Sequence, residues 1–423
     1  MANNFSKTKM ATLFEEIAET TSINFTLSKD LDMYNMEEEA EMGRTADVND
    51  TANSVGQQDV EWIPQEYRFN VQDGIVSSDA DFQDLIDRNI PVYRTKSKRI
   101  LSRIGTKDLR DPMRREKKAR GMARDIANAV DLECYNTMYT QASLIQRSTS
   151  NFDFQSAINA ETLMLNRGLG GYEKKLFLSN TDYSQVAQTL GQASRETFTG
   201  EAISRARIPD LATFDTMRSD YLLNLTGTTT ANITVNGNQS HTVATTLASG
   251  LYQDNRYMTL NVNTGTGANF PVNTKFTIAG VNALHPETRE DTGELQTFTV
   301  VNHDTDGAPV IAPSIVSAST SPYRNCSAQA ADAAAITILN TATSAPSLFY
   351  TPESTVIIPG RLPVPADAGG VESVEATTEN GLPMRMTYWY DPHNEVFNCK
   401  TLIYFDVQVI YPWMLGMILS NQT

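Results

Sequence analysis

The sequence predicts an α+β protein with a small antiparallel β-barrel inserted into it, and three observations carry that prediction. Apolar residues switch between helical and strand spacing along the chain. The composition changes at Thr226: residues 226–345 are rich in Thr, Asn, Ala, Ser and Gly, with four basic residues, Arg256, Lys275, Arg289 and Arg324. After Pro346 the mixed character resumes, so the barrel interrupts an α/β lobe. At 423 residues the chain exceeds one simple core, and two or three lobes are expected. A hydrophobic content of 40% with 20% charged residues is that of a folded globular chain.

The elements follow in order. Residues 8–20 read as a short amphipathic helix with Met10, Leu13, Phe14 and Ile17 on one face and Glu15, Glu16 and Glu19 off it. So short a helix needs a docking surface, on its own core or on a partner. Residues 35–60 are polar, acidic and poor in aromatics, which reads as an arm or loop. Residues 60–71 read as a strand carrying Trp62, Ile63, Tyr67 and Phe69. A turn-rich stretch with Asp73, Asp79, Asp81, Asp84 and Asp87 follows, and residues 90–104 return as a basic strand. This is the pattern of a long two-stranded flap, which is marginal alone and lies on another surface.

Asp111-Pro112 reads as an N-cap and first helical residue. Met122, Ile126, Val130, Cys134 and Met138 then recur every fourth residue, beside Ala119, Ala123 and Ala127. The spacing predicts a helix over 112–141, on the order of 45 Å long. Residues 156–167 read as helix, 168–171 (GLGG) as a turn, 175–178 as a strand and 183–190 as helix. Within the insert, short strands are expected at 232–235, 257–262, 275–278, 296–301 and 310–315, separated by turns such as Asn236-Gly237 and Asp306-Gly307. The last strands fall at 355–358, 384–390 and 401–411. In the final one, Ile403, Phe405, Val407 and Val409 alternate with Tyr404, Asp406 and Gln408, which predicts a strand with one buried face and not a membrane span.

The charge distribution is the strongest functional signal. From Arg94 to Arg124 there are thirteen basic residues against three acids, inside a chain of net charge −16. Residues 1–92 hold nineteen acids and six basics. Such a layout gives a monomer nothing obvious, but it steers copies onto one another. Three readings compete for the basic run: a neighbour's acidic flap, the phosphates of packaged nucleic acid, or a solvated helix face with Glu116 and Arg120 as an i,i+4 pair. The neighbour reading is favoured. The overall acidity disfavours free sequence-specific nucleic-acid binding, and Tyr93 alone offers a stacking ring nearby.

Catalytic signatures are absent from the sequence: no P-loop, no G-x-G-x-x-G after a strand, no G-x-S-x-G and no H-E-x-x-H. His241, His285, His303 and His393 are scattered. Asp79, Asp81 and Asp84 lack the glycine of an EF-hand loop. Cys134, Cys326 and Cys399 are odd in number and far apart, which suits a reducing compartment. The N-terminal residues lack an apolar h-region, so no secretory signal is expected. No metal, cofactor or enzymatic activity is expected.

The segments Asp108-Leu-Arg-Asp111 through Ala127-Asn-Ala-Val-Asp-Leu-Glu133, Asp254-Asn-Arg256, Phe276-Thr-Ile-Ala-Gly-Val281 and 331–340, together with the order of parts, resemble the major capsid (coat) proteins of tailed phages. The likeness is closest to those of short-tailed Salmonella and Shigella phages. The resemblance implies a Hong Kong-type capsid fold with N-arm, E-loop, spine helix, peripheral and axial domains, plus the inserted antiparallel β-barrel. Carried over, residues 1–59 are the N-terminal arm and 60–107 the E-loop and start of the peripheral domain. Residues 108–149 hold the spine helix, 150–225 and 346–380 the axial domain, 226–345 the insertion, and 381–423 the peripheral C-terminal strands.

The resemblance also implies inter-subunit contacts. Candidates are Leu13, Phe14 and Ile17 on the arm, Asp79, Asp81 and Asp84 at the flap tip, and Arg94, Lys96, Lys98 and Arg99 on its returning strand. On the spine they are Arg114, Arg115 and Lys118. In the insertion, Gln253, Asp254 and Arg256 belong to a loop reaching across capsomers, and His285, Glu287, Arg289 and Glu290 to one acting within a capsomer. The implied function is a structural shell subunit. It assembles as hexamers and pentamers, with a scaffolding protein and portal, into an icosahedral procapsid in the bacterial host cytoplasm. That shell expands around double-stranded DNA, becomes the virion capsid and involves no membrane. Some relatives form a Lys–Asn crosslink, but its catalytic glutamate cannot be placed here, so non-covalent stabilisation is expected. The alternative is a β-rich phage surface or receptor-binding protein using residues 226–345; a capsid-associated hydrolase is disfavoured by the missing nucleophile.

Overall fold

The computed structural model describes residues 2–34, 60–66, 68–69, 75, 89–93, 96–193, 211–218, 223–229, 232–243, 254–263, 270–360, 371–378 and 380–422. They form two compact units. The first comprises Met1–Trp62, Pro91–Thr137 and Thr355–Gln408; the second comprises Ile63–Ile90, Met138–Ser354 and Val409–Thr423. Residues 346–380 and 381–423 each contribute to both units.

In the first unit the N-terminal helix spans Ala2–Asn24, longer than its amphipathic stretch. Met10, Leu13, Phe14 and Ile17 are buried, so the docking surface is the chain's own core. Burial of each such side chain contributes about 1.5–3 kcal/mol. The turn after the helix is held by Asp131, which is fully buried. Its Oδ2 accepts from the Thr26 N–H and Oγ1, both at 2.8 Å, and its Oδ1 from the Ser28 N–H at 3.0 Å and Ser28 Oγ at 2.5 Å.

The spine helix runs Pro112–Gln141, as its spacing predicts. Asp111 caps it, its Oδ1 accepting from the Met113 N–H at 3.0 Å. Ala119, Ala123, Ile126, Ala127, Val130 and Cys134 are buried along one face.

The sheet of this unit is built on one long strand, Val396–Val409. It lies between Thr355–Gly360 and Pro383–Asp391; Asp32–Met33 and Glu372–Thr377 flank these. Lys96–Gly105 also pairs antiparallel with it, from Lys96↔Phe405 to Gly105↔Val396. This corrects the expected flap. The two-stranded sheet consists of Val60–Pro64 and Asn89–Tyr93, and the basic returning strand continues into the main sheet. The long strand is buried on both faces at its centre, where Asp406 is 1% exposed beside Phe405 and Val407. Burial pushes the Asp406 carboxyl up, against the hydrogen bond it accepts from Gln408.

The second unit holds a mixed five-stranded sheet in the order Leu144–Arg147, Leu415–Leu419, Ser347–Tyr350, Lys175–Leu178, Asp215–Arg218. The outer pairings are parallel and the inner two antiparallel. Helices Phe154–Leu165 and Asn180–Ala193 supply Ala157, Ala160, Met164 and Val186 to its core. Gly416 is required by close approach: a Cβ there would stand 2.1 Å from Phe349 Cζ.

The inserted segment forms a second five-stranded sheet, ordered Ile336–Ile338, Lys275–Leu284, Asp291–His303, Pro309–Ala312, Met258–Thr259, all antiparallel. Thr234–Val235 pairs with Val262–Asn263 beside it. Among the described residues this ribbon links the two ends of the path: Thr234 bridges Ala335 and the Ile336 N–H donates to the Ile233 carbonyl at 3.0 Å, while Val262–Asn263 continues the chain from Met258–Thr259. Phe276 and Phe298 stack in its core, with centroids 5.6 Å apart.

This sheet is fastened to the C-terminal residues of the spine helix, whose last carbonyls lack intrahelical donors. Lys275 Nζ donates to the Tyr139 carbonyl at 2.8 Å and Thr299 Oγ1 to the Ala142 carbonyl at 2.5 Å. Thr297 Oγ1 donates to the Ser143 carbonyl. Tyr257 donates through its hydroxyl to Gln141 Oε1 at 2.8 Å.

Candidate functional site

Much of the basic run is neutralised within the first unit. Lys96 and Lys98 both meet Glu133, at 2.9 and 2.7 Å. Arg114 and Lys118 meet Asp108 at 3.1 and 2.5 Å, and Arg115 meets Glu16 at 2.9 Å. Arg120 meets Glu116 at 2.5 Å, the i,i+4 pair legible in the sequence. Hydrogen bonds from Lys118 and then Arg114 hold the Asp108 carboxyl below the usual carboxylate range. Burial pushes the Glu133 carboxyl up, but the hydrogen bonds from Lys98 and Lys96 outweigh it, and the net shift is downward. Lys96, Lys98, Arg114, Arg115 and Lys118 are thus paired inside the chain. Leu13, Phe14 and Ile17 are buried in the chain's own core.

Arg99, Arg103, Arg110 and Lys117 are exposed and have no ion-pair partner among the described residues. Arg99 and Arg103 share one face of the Lys96–Gly105 strand with Leu101, which is 65% exposed. Register carries this face across the sheet: Arg103 lies opposite Asn398, which lies opposite Trp389, and Leu101 lies opposite Lys400. Trp389 is itself 40% exposed. The result is a cationic surface with apolar anchors, suited to an extended acidic segment.

The insertion-loop residues are largely occupied in other ways. Arg256 is buried and grips Asp254 in a fork, Nε to Oδ1 at 3.0 Å and Nη2 to Oδ2 at 2.7 Å. Its Nη1 donates to the Val409 carbonyl at 2.6 Å. Within the chain, Asp254 therefore positions Arg256. His285 organises the Lys275–Leu284/Asp291–His303 connection, its Nδ1 accepting from the N–H groups of Glu287 and Thr288 at 3.3 Å. Arg289 donates to the Phe69 carbonyl at 3.2 Å, an intramolecular contact at the flap root. Glu287 and Glu290 are exposed. Asp79, Asp81, Asp84, Arg94 and Gln253 lie outside the described residues.

Sequence reasoning missed Glu133 and Asp131, the carboxylates that organise the spine's neighbours. Their signal was two acids in the apolar half of a helix whose other half is basic. No group of three or more His, Cys, Asp or Glu residues among the described residues is placed to hold a metal ion. Burial raises the Cys134 thiol well above its usual range and pushes those of Cys326 and Cys399 up to about 12, so none is a thiolate at neutral pH.

The first unit thus presents a basic sheet face with exposed apolar residues. By comparison with known proteins, the chain is a structural coat protein of a bacteriophage capsid. The model of the P22 coat protein family (P22 coat protein, gene protein 5) matches residues 1–420, and the chain belongs to that family. Among solved structures, the chain is similar to one from Mycobacterium phage Che8, at 8% identity and TM-score 0.44, covering 94% of this chain and 92% of that one. It is also similar to the mature capsid of bacteriophage PhiM1, at 7% identity and TM-score 0.40, covering 93% and 86%. The CUS-3 coat protein I-domain matches at 36% identity and TM-score 0.23, covering 27% of this chain and 99% of that one.

Proposed function

We propose that this coat protein assembles, with a scaffolding protein and a portal, into an icosahedral procapsid of hexamers and pentamers that expands around double-stranded DNA. Its contact surface for an acidic segment of a neighbouring copy is the sheet face bearing Arg99, Leu101, Arg103 and Trp389. The first unit is the peripheral part of the shell subunit; the second is the axial part with its inserted domain. The observation that carries this reading is the unpaired cationic face on a chain whose first 92 residues are strongly acidic. A flap from one copy laid on that face joins opposite charges and covers Leu101 and Trp389.

The test is negative-stain imaging of purified protein with and without co-expressed scaffold, for wild type and the double variant Arg99→Glu/Arg103→Glu. Wild type is expected to form uniform shells. The variant is expected to remain folded by circular dichroism but to lose most of its closed shells. Wild-type shell yield from the folded variant would refute this surface. A wild type that stays monomeric with scaffold would refute assembly.

A further inference from the structure

A cavity of about 140 Å³ lies inside the second unit, where the flap root, the mixed sheet and the inserted sheet meet. Its lining is strongly cationic: Arg68, Arg167, Arg256 and Arg324 face it, with Glu66 as the one carboxylate among the described lining residues. Two of the four guanidiniums are engaged. Arg256 is held by Asp254, and Arg324 donates to the carbonyls of Cys326 and Ser327 at 3.3 and 2.8 Å. Arg68 stacks over the Trp413 ring at 4.9 Å, with the Glu66 carboxylate near enough to act on it electrostatically.

Arg167 is the exceptional member. It is 5% exposed, no described residue accepts a hydrogen bond from its guanidinium, and its Nη2 is fully buried. Burial lowers its pKa to about 10, so it stays charged at neutral pH. Glu294 acts on it electrostatically without accepting a hydrogen bond among the described contacts, and a buried cation without hydrogen-bond acceptors is costly. The cavity has room for several waters, or for one polyatomic anion with some of them.

We propose that this cavity binds one compact tetrahedral oxyanion, of the phosphate or sulfate class, between Arg167 and Arg68. Planar guanidiniums match such oxygens with paired N–H donors. The lining residues come from three parts of the unit, so the anion ties the inserted sheet to the mixed sheet and the flap root. Binding to the folded state alone raises stability by mass action.

The experiment uses the full-length unassembled chain. Inorganic phosphate is titrated by calorimetry, and thermal unfolding is followed in phosphate against chloride at equal ionic strength. Wild type is expected to bind one phosphate per chain saturably and to unfold at a higher temperature in phosphate than in chloride. Arg167→Met, which keeps the side chain's bulk, and Arg68→Gln are each expected to weaken binding at least tenfold. Lys117→Gln, on the exposed spine surface, is expected to bind as wild type does. Absence of saturable binding in wild type, leaving the cavity to water, overturns the proposal; so does binding unchanged in Arg68→Gln and Arg167→Met. Should Arg167→Met fail to fold, Arg68→Gln decides.

Discussion

Lys96 and Lys98 in the first unit share one carboxylate, Glu133, at a surface where all three side chains keep a fifth to a third of their exposure. Lys275 in the second unit is wholly buried and meets only carbonyl oxygens at the end of the spine helix. The first arrangement contributes modestly, because water already solvates the separated ions and salt screens them. The second is far more consequential. Burial pushes the Lys275 amine well below its usual range, and the helix end would be left without donors if it were removed. The surface ions of this pair stay partly solvated, while the buried charge positions one sheet on another element.

The largest expected effect tests that contrast directly. Lys275→Ala removes a filled volume and the donor to the Tyr139 carbonyl, and is expected to cost about 2–5 kcal/mol in denaturant unfolding. Lys275→Met keeps the volume and should recover part of the loss. A cost for the alanine variant no larger than that of a surface pair would break the comparison.

Asp131→Ala is next, at about 1–3 kcal/mol, because it frees the donors of Thr26 and Ser28 in a dry site. Amide exchange at Thr26 and Ser28 should accelerate. Unchanged protection at both would show that packing of the N-terminal helix suffices to hold the turn.

Glu133→Gln should cost no more than about 1 kcal/mol at low salt, and the difference from wild type should shrink in concentrated salt. A larger, salt-insensitive loss would place the pair among the buried interactions.

The smallest effects are in pH dependence, and two carboxylates, one in each unit, differ in sign. Glu133 has a folded pKa below its ordinary 4.5, so its contribution is present above that pH and fades as pH falls through the lowered value. Asp182, in the second unit, is raised above 3.8 by burial, despite hydrogen bonds from Ser347, Ser420 and Ser179. Its contribution is complete below 3.8 and is lost as pH rises through the raised value. Unfolding measured across this range for Glu133→Gln and Asp182→Asn should flatten opposite sides of the profile.

Some of this was legible in the residues. Asp111-Pro112 and the fourfold recurrence from Met122 to Met138 marked the spine because capping and helical periodicity act over a few residues. The change of composition at Thr226 marked the insert for a similar reason. Closure of the expected barrel was not legible, because short strands show pleat and turns but not which edges meet. The flap's returning strand was misjudged because its partner, Val396–Val409, lies some 300 residues further on. Of the assembly surface, the basic run was visible, but not which members were already paired: Arg99 and Lys98 look equivalent until the strand's alternation sends one outward and the other to Glu133. Arg167, one arginine in a helix-to-turn sequence, carried no signal at all.

The sequence by itself determined the helices, the local turns and the excess of basic residues, because each depends on neighbours within a few positions. Only the tertiary structure decided which charges remain free. Packing brought Glu16 to Arg115 and Glu133 to both lysines, and left Arg99 and Arg103 facing water and Arg167 facing a cavity. Electrostatic pairing depends on distances of a few ångströms between residues far apart in the chain, and folding sets those distances.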